Sequence, residues 1–74
     1  MKFNYAKLLG RMKELGFTQE ILAKAIGINK GTLSAKLNNQ NFFTSGDIAR
    51  ICEVLNIENE EIGLYFYTEE VQKN

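Results

Sequence analysis

The chain contains no proline and no histidine, and its one cysteine is Cys52. Without proline, no helix is forced to kink or stop, so helix ends must be set by capping residues and glycines. A lone cysteine excludes an internal disulfide framework and suits a reducing compartment. With no histidine beside it, almost nothing remains for a zinc site or a Cys/His nucleophile. No apolar run nears the roughly 18 residues needed to cross a bilayer, and no charged-then-apolar leader opens the chain. Glu60 and Glu61 are adjacent on a helix and face different ways, so they do not pair across a cleft. These absences predict a soluble cytoplasmic protein that is no enzyme, with no cofactor, no metal, no membrane contact and no evident small-molecule ligand.

Net charge is absent too, since nine Lys/Arg balance nine Asp/Glu. The balance is uneven along the chain. Residues 1–50 carry eight basic side chains against three acidic ones, net +5, and residues 51–74 carry one against six, net −5. Such a split favours a polyanion partner for the front part.

What is present is enough apolar mass for one small core: 45% of 74 residues, including five Phe and three Tyr. One pattern recurs, an apolar residue, a capping residue, and a second apolar residue four positions past the cap. It reads Phe3-Asn4…Leu8, Phe17-Thr18…Leu22, Ile28-Asn29…Leu33 and Phe43-Thr44…Ile48, with a weaker copy at Ile57-Glu58…Ile62. Each is an N-cap with a hydrophobic staple, and Asp47 adds a short capping box to Thr44. The pattern predicts helix starts near residues 5, 19, 30, 45 and 59. Gly16, Gly27 and Asn56, which tolerate the left-handed end position, mark stops. Tyr5, Leu8, Leu9, Met12 and Leu15, and later Ile48, Ile51, Cys52 and Leu55, keep helical periodicity.

The expected fold class is therefore all-α, a compact five-helix domain over residues 1–67 with a frayed polar tail at 68–74. Cys52 reads as buried filler. The apolar run Leu64–Tyr67 reads as core closure; alternatively, Leu64, Tyr65 and Phe66 form a dimer contact.

Thr18 to Asn38 forms the centre of this design. Two short amphipathic runs, Gln19–Ile26 and Lys30–Asn38, flank the turn Gly27-Ile28-Asn29, the outline of a helix-turn-helix. Ala23 is small where the second helix must cross closely, and Leu22, Ile26, Ile28 and Leu33 face inward. A third inward residue is due at Lys36, but the apolar residue stands at Leu37, four past Leu33 and on the same face. With Leu33 and Leu37 inward, Gly31, Ser34, Ala35 and partly Thr32 turn outward, with Lys30 on the flank.

From about Asn4 to Phe66 the chain resembles the Cro and repressor DNA-binding domains of bacteriophages, the lambda-repressor-like (XRE) helix-turn-helix family. Leu15-Gly16-Phe17-Thr18-Gln19-Glu20 and Leu22-Ala23-x-x-Ile26-Gly27-Ile28 carry most of the match, and Asn38-Asn39 stands where the family has Asn-Gly. The resemblance implies a sequence-specific regulator binding double-stranded DNA as a homodimer, with its third helix in the major groove. It implies phosphate contacts from Gln19, and from Asn38, Asn39, Gln40 and Asn41, with Lys24, Lys36 and Arg11 in the wider electrostatic footprint. It places base reading at Lys30, Gly31 and Ala35, with Thr32 and Ser34 beside them. That outward face offers few strong bidentate donors. The alternative is an adaptor or antirepressor-like phage protein that keeps the fold without binding DNA, consistent with the acidic tail and the small Gly31/Ala35 surface.

Overall fold

Each helix begins where a side chain takes over a backbone N–H that has no partner inside the helix. The computed structural model describes residues 2–70. They form α1 (Ala6–Glu14), α2 (Gln19–Ile26), α3 (Lys30–Leu37), α4 (Ser45–Leu55), a 3-10 turn (Asn59–Glu61) and α5 (Ile62–Phe66). Thr18 Oγ1 accepts from Ile21 N (3.1 Å), Asn29 Oδ1 from Thr32 N (2.7 Å), and Thr44 Oγ1 from Asp47 N (3.1 Å). The Asp47 carboxylate completes the box by accepting from Thr44 N. Asn4 accepts from Ala6 N, two residues on, so α1 starts at Ala6, one residue later than expected.

The ends of α1, α2, α3 and α4 share one geometry, a left-handed residue just past the helix. After α1, Gly16 N–H reaches the Lys13 carbonyl and Phe17 N–H the Met12 carbonyl, with Gly16 at φ 77°. After α2, Gly27 at φ 81° repeats this, with Ile28 N–H on the Ala23 carbonyl. These are Schellman closures. Phe17 and Ile28 thus close one helix and stand immediately before the cap of the next. This double duty makes the connections as short as they are.

Phe3, Phe17, Ile28 and Phe43, the residues before the first four expected caps, are half-buried and pack against the core, and Ile57, before the fifth, is buried in it. Leu8, Leu22, Leu33, Ile51, Leu55 and Phe66 are fully buried at its centre. Ala23 is 1% exposed, consistent with a close helix crossing that leaves room for no larger side chain. α2 packs on both α3 and α4, while α1 packs on α5. Leu9 and Leu15, which share the apolar periodicity of this segment, are exposed, because the buried stripe of α1 is only as wide as Leu8 and Met12.

The chain ends depart from expectation. Residues 68–70 are paired rather than frayed: Phe3 and Glu69 form an antiparallel bridge, flanked by Asn4 N–H on the Thr68 carbonyl (2.7 Å) and Glu70 N–H on the Lys2 carbonyl (3.0 Å). Phe3's own N–H and C=O point the other way, as strand geometry requires. The remainder of the expected tail, 71–74, lies outside the described residues. An aromatic chain ties this pairing to the core, from Tyr67 to Phe3 (5.7 Å between centroids), Tyr5 to Phe43 (5.3 Å) and Phe43 to Phe66 (5.4 Å). Among the described residues no helix is long and apolar enough to cross a membrane.

Candidate interaction surface

The α2–α3 unit sets the surface. Its turn is Gly27-Ile28-Asn29, and the amino ends of both helices open onto a shallow depression lined by Thr18, Gln19, Glu20 and Lys30. Gln19 is half-buried there and Lys30 is exposed, so two of the expected contact residues come together. Glu20 lines the same depression and offsets part of the positive field that an anion would meet.

Along α3, Gly31 is exposed, and Thr32, Ser34 and Ala35 are half-buried. Lys30 is the one exposed charged residue of α3. Lys24 is exposed on α2. Asn38, Gln40 and Asn41 are exposed after α3, although the Asn38 amide already donates to the Ser34 carbonyl (2.9 Å).

Three expected phosphate contacts are committed elsewhere. Lys36 is 6% exposed and its Nζ is bound to the Asp47 carboxylate, which is itself 3% exposed. It occupies the third inward position of α3, where an apolar residue was due, and a buried ammonium is tolerable there because a carboxylate meets it. Burial raises the Asp47 pKa, but hydrogen bonds from Lys36 and Thr44, with the Lys36 charge, outweigh it and bring it to about 2. Arg50 adds a second cation at 3.2 Å.

Asn39 is the second correction. It takes the left-handed conformation at φ 61° that ends α3, with its N–H on the Lys36 carbonyl and Gln40 N–H on the Ala35 carbonyl. Its side-chain amide accepts from Phe3 N (2.9 Å) and donates to the Phe3 carbonyl (2.9 Å). The carboxamide thereby imitates a neighbouring strand. Arg11 is the third, since its Nε donates to the Leu55 carbonyl at the end of α4 (3.1 Å) and its guanidinium lies 3.4 Å from Glu14.

The expected dimer contact divides likewise. Tyr65 and Phe66 are core residues, 8% and 1% exposed, and Lys7 Nζ sits 5.3 Å from the centre of the Tyr65 ring. Leu64 remains exposed, as does Tyr67. Among the described residues Phe42, in the loop after α3, is the most exposed large apolar side chain at 73%; it belongs to no helix, so helical periodicity gives no sign of it. Burial raises the pKa of the Cys52 thiol, and it raises that of Tyr5 together with the nearby Tyr67.

This arrangement is similar to the solution structure of the modulator of repression (MOR) of the temperate bacteriophage TP901-1 from Lactococcus lactis. The two share 32% sequence identity with a TM-score of 0.79, covering 97% of each chain. No curated protein matches. Residues 1–69 match the model of the family described as "Protein of unknown function (DUF739)", and the chain belongs to that family.

Proposed function

We propose that the chain is a phage-type regulator that modulates repression by binding a protein partner, with its α2–α3 unit serving as scaffold. The fate of Lys36 carries this reading. The one lysine in the second half of the expected recognition helix is turned inward onto Asp47, which leaves Lys30 as the sole long donor on that helix. A groove-reading helix draws its discrimination from bidentate donors to base edges, and α3 presents Gly31, Thr32, Ser34 and Ala35 instead. The similarity to a phage modulator of repression over nearly the whole of both chains supports the same reading. The fold alone is neutral between partners.

A duplex titration tests it. At ~50 mM salt, where phosphate contacts dominate, the protein alone is expected to leave a random and a selected duplex unbound. Mixed with the repressor protein of the same genome, it should alter that repressor's operator binding. Tight binding of a selected duplex by the protein alone would reverse the assignment.

One observation favours a second reading, that of a lambda-repressor-like DNA-binding regulator. Gln19 and Lys30 line one depression at the paired amino ends of α2 and α3, where backbone N–H groups and the helix dipoles suit a phosphate. In that case Lys30→Ala should relax sequence preference and Gln19→Ala should weaken all sequences alike. A homodimer on DNA would then use exposed Leu64 rather than the buried Tyr65 and Phe66.

A further inference from the structure

A second depression, open and of about 600 Å³, runs along α4 beside the 3-10 turn and α5. Ser45, Ile48, Ala49, Cys52 and Glu53 line it from α4 and Asn56 from the cap at its end, a spacing that makes one continuous stripe along the helix. Ile57, Ile62 and Tyr67 complete an apolar floor. Its acids are Glu53 and Glu58, both exposed, and no Lys or Arg lines it. Residues 51–70 hold six glutamates and no basic residue, and among the described residues none of the six is in a salt bridge. An apolar trough rimmed by carboxylates without counter-charges repels nucleic acid and favours a cationic partner. α4 has 11 residues, a length of about 16 Å that matches roughly three turns of a second helix.

We infer that this trough docks a basic amphipathic helix of a partner protein, with apolar anchors at i, i+4 and i+7 on the floor and Lys or Arg over Glu53 and Glu58. The inference rests on the protein-contact reading above and supplies the chemistry of the partner. The zero net charge of the chain results from joining its basic front to this acidic second part.

The test uses a fluorescein-labelled 14-residue peptide of leucine and lysine, with leucines at helical spacing, titrated into the full chain at ~50 mM salt, low enough to keep charge contacts visible. Anisotropy gives the affinity, and ¹⁵N NMR shifts give the site. The leucine/lysine peptide should shift amides of α4 and of residues 57–62. The same peptide with glutamate for lysine, and an oligolysine without leucine, should each bind at least tenfold more weakly. Ala49→Arg, at an exposed position of the stripe, should reduce affinity at least tenfold with an unchanged unfolding midpoint, and Glu53→Lys, also exposed, should weaken binding without touching the floor. Equal binding of the glutamate peptide, shifts confined to α2 and α3, or affinity untouched by both variants overturns the proposal. A parallel arm measures modulation of the repressor of the same genome. Loss in Ala49→Arg alone supports the trough, retention in both proteins removes the trough and leaves the protein-contact reading standing, and absence in the unaltered protein overturns that reading and the trough with it.

Discussion

Lys36 of α3 and Asp47 of α4 form a buried ion pair that joins the end of one helix to the cap of another. Asp47 simultaneously accepts from Thr44 N and meets Arg50, so its oxygens are satisfied on every side the core leaves open. Breaking such a pair on one side costs more than removing it, because a charge is left buried without a partner. Asp47→Asn, which keeps the cap oxygen, is therefore expected to destabilise the protein by about 3 kcal/mol. Adding Lys36→Met should recover most of that loss. Urea unfolding of the two single variants and the double variant measures the coupling, and strictly additive effects would contradict a direct pair.

The same carboxylate sets an acid limit on stability. Its pKa is about 2 in the folded chain against an ordinary 3.8. A lowered carboxylate pKa contributes stability that is fully present above pH 3.8 and is lost as pH falls toward 2. The shift corresponds to about 2 kcal/mol. Melting temperature should hold level from neutral pH to about pH 4 on Asp47's account and then fall toward pH 2. In Lys36→Met/Asp47→Asn the fall should be shallower, and an identical fall in both proteins would assign the acid sensitivity to other carboxylates.

Caps and helix stops were legible because both are local. Thr18, Asn29 and Thr44 act on N–H groups three residues away, and Gly16, Gly27 and Asn56 need only a backbone conformation. The starts of α2, α3 and α4 follow directly from them. What periodicity misplaced was set by distant partners. Lys36 reads as exposed until Asp47, 11 residues later, is seen to face it. The available signal was a lysine in an apolar slot together with an acid in a capping box. Asn39 reads as a polar loop residue until the chain end, 36 residues away, is laid beside it. The same non-locality separates Tyr65 and Phe66 from Leu64: a run of apolar residues does not say which of them meets α1.

Asn39 does two separable things, and two substitutions separate them. Asn39→Gly keeps the left-handed backbone at no steric cost and loses both hydrogen bonds to Phe3, an expected destabilisation of about 1–2 kcal/mol. Asn39→Ala loses the same bonds and also strains the backbone at φ 61°, adding about 1 kcal/mol. Amide exchange at Phe3 should quicken in both variants. If the Phe3 amide keeps its protection in Asn39→Gly, the side chain is not what holds the chain end.

Cys52 reports on the opening of α4. The residue is 9% exposed at the floor of the trough, and burial raises the pKa of its thiol, so little thiolate is available to an alkylating reagent. Iodoacetamide at pH 8 should modify native protein far more slowly than unfolded protein, at a rate that rises with sub-denaturing urea as local opening becomes more frequent. Because Cys52 also lines the trough along α4, the leucine/lysine peptide should slow that reaction further, and the glutamate peptide should not. Modification of native protein at the rate of a free thiol would mean that α4 opens readily without a ligand, and the trough would then have no fixed floor on which a partner helix could dock.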